Sequence, residues 1–295
     1  GGKGHRLSVA NALWSQAGLR FLPEYASIAE RYYDAGLREV DFVYNTEEAR
    51  SIINRWVEAK TENKIVDLIG PRVLDPLTRL VLTNAIYFKG QWEQQFMPEQ
   101  TEEAPFYLSA DRQAIVPFMH QVGAFKYAET SNAQVLEMPY SGNELAMTIF
   151  LPKPDSGLSK LEAAIQADGI QSILEALAPT RADAKLPRFK FEAELSLGGC
   201  LQQLGMIDAF DDNIADFSGI SNTFLYITHV LHKAFIEVNE EGTEAAAATA
   251  VVMGTKSIRL ELPEMFVADR PFVFLIRDLR TGSILFMGRM ADPVS

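Results

Sequence analysis

Between Glu240 and Ser257 the chain reads EEGTEAAAATAVVMGTKS, the side-chain pattern of a strand that has yet to join a sheet. Acidic residues open the run, and Gly242 supplies a flexible pivot with no Cβ. From Thr243 to Met253 every residue except Glu244 is small, β-branched or apolar. In an extended chain successive side chains point to opposite faces. Thr243, Ala245, Ala247, Thr249, Val251 and Met253 would then share one face, with Glu244, Ala246, Ala248, Ala250 and Val252 on the other. Nothing in the run forbids insertion into a sheet, whereas a charge at Ala245 or Ala247 would be buried unpaired. Four consecutive alanines also have the highest helix propensity, so the tetrad alone admits a helix as readily as a strand.

The flanks separate those readings. THVLHKAFIEVNEEGTEA leads into the alanines, FVADRPFVFLIRDLRTGSILFMGRMADP follows them, and LTNAIYFKGQWEQQF runs from Leu82 to Phe96 upstream. In this order the segments resemble the serpins, a family of serine protease inhibitors, over the whole length of the chain. The resemblance implies an α+β fold: one serpin domain over residues 1–295, with a large, mostly antiparallel central sheet, further sheets and helices. It also implies an exposed reactive-centre loop at about residues 240–260. LSVANALW, the first clear element, resembles a strand that follows several helices in the family, so the N-terminal helices of the fold are expected to be absent from this sequence.

Site residues follow from the same resemblance. Glu240, Glu241, Gly242, Thr243, Glu244, Ala245, Ala246, Ala247 and Ala248 match the loop hinge, and Lys256–Ser257 falls at the scissile bond. The segment from Ser257 to Arg270 is slightly long, which leaves Thr255 and Arg259 as alternative recognition residues. His232 of HKAFIEVNEEG and Asn84 of LTNAIYF match a histidine and an asparagine at the family's shutter. Trp92 falls under the top of the sheet, and Arg188 of LPRFKF is placed to pair with Glu240 at the loop's base. The implied activity is suicide-substrate inhibition of a trypsin-like serine protease, by loop cleavage, acyl-enzyme trapping and insertion of the loop as a new strand. A non-inhibitory carrier or chaperone is the alternative. Its hinge would carry bulky, charged or proline residues, which Thr243 and Ala245 to Ala248 are not.

Composition is compatible with this reading. With 295 residues, 47% of them hydrophobic, the chain can bury a large core. A formal charge of −12 argues against nucleic acid or a polyanion as the main target. Heparin-type activation is not expected, since no basic helix of that kind is visible. No apolar run is long enough to span a membrane. The single Cys200 forms no internal disulfide and reads as a small buried residue. The resemblance favours a monomer in an extracellular or periplasmic compartment over a cytoplasmic one.

Enzymatic signals are absent. No GxSxG, HExxH, GxGxxG or CxxC occurs, and GTKS at Gly254–Ser257 lacks the adjacent Gly-Lys of a phosphate loop. His229 and His232 stand at an odd spacing that sends them to opposite faces of a strand, so neither a metal site nor a cofactor is expected. Hydropathy spacing predicts strands from Leu7 to Trp14, Arg79 to Phe88, Gln113 to Tyr127, Val135 to Pro139, Glu144 to Leu151, Lys185 to Glu192 and Phe224 to Asn239, with three more closing the chain. Helices are expected from Pro23 to Tyr33, from an Asn45 or Thr46 cap to Lys60, from Ser159 to Leu177 and around Leu197 to Leu204.

Overall fold

The structure, a computed structural model, describes residues 4–33, 36–243 and 262–294. In chain order the elements begin with strand β1 (His5–Gln16), helix α1 (Pro23–Tyr33), β2 (Gly36–Val40), α2 (Thr46–Lys60) and β3 (Leu80–Gln91). Next come β4 (Glu102–Ser109), β5 (Arg112–Glu129), β6 (Ala133–Pro139), β7 (Leu145–Pro152), α3 (Gly157–Asp168) and α4 (Gln171–Glu175). The remainder is β8 (Ala178–Pro187), β9 (Phe189–Ser196), α5 (Gly198–Gln203), β10 (His229–Val238), β11 (Gly242–Thr243), β12 (Glu264–Val267), β13 (Phe272–Asp278) and β14 (Ile284–Met290). Strands and helices are interspersed, and the fold is α+β. The chain divides into two compact units, one of Gly1–Arg6, Lys89–Phe191 and Glu237–Ser295, the other of Leu7–Phe88 and Glu192–Ile236.

The second of these units is built on a sheet of order β2-β1-β3-β10-β9. The sheet is mixed: β1 runs parallel to β2, and β10 runs parallel to β3 from His229 opposite Val81 to Phe235 opposite Tyr87. Helix α2 turns Ala49, Ile53 and Val57 to one side, a four-residue repeat that makes a single stripe. That stripe packs into a core with Trp14, Phe42, Tyr87 and Phe235. The helix does not use the cap expected from its sequence. Asn45 makes no capping bond; its amide donates instead to Asp41, which also accepts from the backbone N–H of Tyr44, while the Thr46 hydroxyl turns back to the Phe42 carbonyl.

The other unit holds a sheet of order β12-β8-β5-β6-β7-β13-β14, with β4 paired to β5. Its strands are antiparallel neighbours apart from β12, which runs parallel to β8. All eight residues of β7, LAMTIFLP, are buried, as a strand covered on both faces requires. Inside this sheet Glu137 is 2% exposed, yet it accepts from Arg277 and the Thr148 hydroxyl and lies 3.2 Å from Lys126 Nζ. Its charge is thereby paired, as burial demands.

Several expected elements differ. Two strands, β8 and β9, replace the single one near Lys185, and Arg188 stands alone between them. Pro187, which lacks an N–H, closes β8. The long helix from Ser159 breaks into α3 and α4 at Gly169, whose φ of 74° is one that glycine adopts without a Cβ penalty. β10 begins at His229, and β2 and β4 were not anticipated. Cys200 is exposed, in contrast to the buried position expected, because α5 is a short helix with no buried residue.

The closing hairpin β13–β14 sets Gly288 opposite Phe274, whose ring would lie 2.5 Å from any added Cβ. Phe274 is buried and has no room to swing away. Gly288→Ala is therefore expected to destabilise the protein by about 1–3 kcal/mol. Denaturant unfolding measures this, and an unchanged midpoint would show that the hairpin relaxes around the methyl group.

Candidate functional site

The segment singled out by the sequence begins at a tight turn after β10. β10 ends at Val238, and Asn239 and Gly242 exchange backbone hydrogen bonds of 2.8 and 3.2 Å. The Asn239 side-chain oxygen also accepts from the N–H groups of Glu241 and Gly242, a self-templating turn for which asparagine is suited. Gly242 and Thr243 then run antiparallel to the end of β3, opposite Gln91 and Gly90. Gly242 has φ +146°, and a Cβ there would meet the Gly90 carbonyl oxygen at 2.0 Å and Gln91 Cα at 2.6 Å. Close main-chain packing, rather than flexibility, is why glycine stands at this pivot.

The turn is held from several sides. Glu240 is 5% exposed. Arg188 Nε reaches its two carboxylate oxygens at 2.7 and 2.8 Å, Arg188 Nη2 adds a further contact, and the Thr101 hydroxyl donates to the same group. Burial pushes the Glu240 carboxyl up, but the hydrogen bonds from Arg188 and Thr101 outweigh it and hold the group below its ordinary value of 4.5. The backbone carbonyls of Glu240 and Glu241 accept from the N–H groups of Phe96 and Trp92. Trp92 Nε1 donates to the Asn239 carbonyl at 2.9 Å, and its ring stacks on Tyr140 at 4.7 Å.

A separate polar cluster lies within the other unit. Asn84 and His232 face each other directly across the parallel β3·β10 pair. His232 Nδ1 lies 2.5 Å from Asn84 Oδ1, and the Asn84 amide donates to Asn11. Burial lowers the His232 pKa, which favours the neutral ring. Next to it in sequence, buried Lys233 donates to the Val66 carbonyl at 2.9 Å and pairs with Glu192 at 3.2 Å.

The structure thus brings together Arg188, Glu240, Glu241, Gly242, Thr243 and Trp92 at the turn after β10, and Asn84 with His232 in the other cluster. Among the described residues no group of three or more His, Cys, Asp or Glu side chains could hold a metal ion. Glu244, Ala245, Ala246, Ala247, Ala248, Lys256 and Ser257 lie outside the described residues. Sequence reasoning missed Thr101, Asn239, Gly90, Tyr140 and Lys233. Asn239 had a legible signal, since N-E-E-G is turn chemistry; the others are contacts made by distant segments.

The family model described as "Serpin (serine protease inhibitor)" matches residues 1–293. Leukocyte elastase inhibitor A of Mus musculus is 44% identical over 99% of this chain and 79% of its own length. Among solved structures, Serpin48 of Tenebrio molitor superposes with a TM-score of 0.89 at 34% identity, covering 99% of this chain and 77% of that one. Human thyroxine-binding globulin has the same TM-score at 32% identity, with the same coverage.

Removing Arg188 leaves a buried carboxylate without its main partner. Arg188→Met should destabilise the protein by about 1–3 kcal/mol at neutral pH. Because the Glu240 pKa is depressed on folding, its stabilisation is complete above 4.5 and is lost as pH falls through the lower folded value. Denaturant unfolding from pH 7 downward should therefore show an acid-side loss in the wild type that shrinks in the variant. Equal pH slopes would disconnect this pair from stability.

Proposed function

This chain belongs to the serpin family, and from that membership we propose that it is an inhibitor of trypsin-like serine proteases that acts by loop cleavage and strand insertion. The observation that carries the reading is the antiparallel pairing of Gly242–Thr243 with Gly90–Gln91 of β3, joined by a tight turn to the end of β10. β3 and β10 are parallel, so a strand lying between them has the same direction relative to both, and a chain that reverses in a tight turn after β10 enters antiparallel to the two. β11 has that direction, and its two residues are the first of the strand that insertion would extend along β3.

In the proposed reaction the protease attacks the carbonyl of Lys256 and forms an acyl-enzyme at the Lys256–Ser257 bond. Cleavage frees the loop at one end. The eleven residues Thr243–Met253, at roughly 3.3 Å each, extend about 36 Å as an inserted strand and carry the tethered protease with them. A lysine at the recognition position suits a protease whose specificity pocket is negatively charged. The small residues Ala245 and Ala247 enter the sheet without burying a charge. His232 and Asn84 would exchange their mutual hydrogen bond for others as the sheet parts. The carrier reading is disfavoured by the same alanines, although thyroxine-binding globulin is among the structural relatives.

Mixing the protein with trypsin should give a complex that survives denaturing electrophoresis, with mass spectrometry locating the new terminus at Ser257. Lys256→Glu should abolish the complex while leaving the unfolding midpoint unchanged; inhibition that persists through another bond would reject the register. Thr243→Arg should convert inhibitor to substrate, giving cleaved chain and no trapped protease, because the inward charge stalls insertion. Undiminished trapping by that variant would overturn the insertion mechanism.

A further inference from the structure

Away from the turn after β10, in the same unit, a cavity of about 730 Å³ opens between the ends of β4, β7 and β14, the start of α3 and the turn before β13. Tyr107, Leu108, Pro152, Leu158 and Pro271 give it apolar walls. Its charged lining is Lys153, Arg270 and Arg289 against one carboxylate, Asp269, in a chain whose formal charge is −12. Lys153 pairs with Glu129 at 2.7 Å and Arg289 with Glu162 at 3.4 Å, but neither of those carboxylates lines the cavity. Asp269 Oδ1 stands 3.2 Å from Arg270 Nη1. No acidic residue stands in the first turn of α3 to repel a negative charge.

The Arg270 side chain is 25% exposed, and an arginine fork is shaped to take a carboxylate. Volume, apolar walls and a few converging polar groups are the usual make-up of a small-molecule site. The cavity beside the turn after β10 lacks this bias, since Arg188 and Lys190 share its lining with Glu237, Glu240 and Glu241. We infer that the cavity at Lys153, Arg270 and Arg289 is a binding site for an organic monoanion, a carboxylate carried on a flat apolar body. Arg270 would grip the carboxylate, Lys153 and Arg289 would offset its charge, and Tyr107 and Leu158 would cover the body.

Isothermal titration calorimetry with 1-naphthoate and with uncharged 1-naphthylmethanol tests this on the chain as it stands. Naphthoate should bind at one site at least about tenfold more tightly than the alcohol, the order expected for a charge-assisted contact. Arg270→Gln should weaken naphthoate by about tenfold without changing the alcohol, and Arg289→Gln should weaken it by a few-fold. Thermal unfolding checks that Arg270→Gln is folded; if it is not, Lys153→Gln takes its place and should show a selective loss of naphthoate binding. The inference is overturned by the absence of naphthoate binding at millimolar concentration, by equal affinity for acid and alcohol, or by folded variants that bind naphthoate as the wild type does.

Discussion

At residue 242 two backbones approach so closely that no side chain fits between them. A Cβ on Gly242 would sit 2.0 Å from the Gly90 carbonyl oxygen, and only glycine tolerates both that approach and φ +146°. The rest of the turn depends on this packing. It fixes where the chain turns after β10, sets the Gly242–Thr243 pairing with β3, and presents Glu240 to Arg188 and Thr101. A carboxylate that is 5% exposed is stable there because its oxygens are already met by donors. Main-chain geometry comes first, and the ion pair then locks it.

Sheet geometry supplies the second constraint. β3 and β10 lie side by side and parallel, an arrangement whose slanted hydrogen bonds are slightly weaker per residue than antiparallel ones. A strand entering antiparallel between them would replace one parallel ladder with two antiparallel ladders, so the direction of β11 and the direction of its neighbours agree. Asn84 and His232 sit opposite each other on that parallel pair, and exchangeable polar groups there have a place that apolar packing would not offer.

What could be read in the sequence follows physical lines. The strands β1, β3, β5, β6, β7 and β10 carry long apolar or alternating runs and were legible in outline. β4 was not, because Pro105 and a charged start disguise it; among the described residues its one partner strand is β5, and a sheet edge tolerates such residues. β2 is five residues long and ends the order of its sheet, so it has little period to detect. The Arg188–Glu240 contact joins positions 52 residues apart and came from the family resemblance rather than from spacing. Thr101, which caps the same carboxylate, had no local signal. Cys200 was misjudged because two neighbouring glycines suggested tight packing, whereas α5 buries none of its residues.

Trp92 has an optical consequence. Its indole N–H is bonded to the Asn239 carbonyl and its ring lies flat on Tyr140, 8° from coplanar. The other two tryptophans, Trp14 and Trp56, meet edge to face in the other unit at 5.5 Å. Rearrangement of the turn would change the polarity around one indole and the ring it rests on, so the emission of this tryptophan is a built-in spectroscopic reporter of the state of the turn after β10.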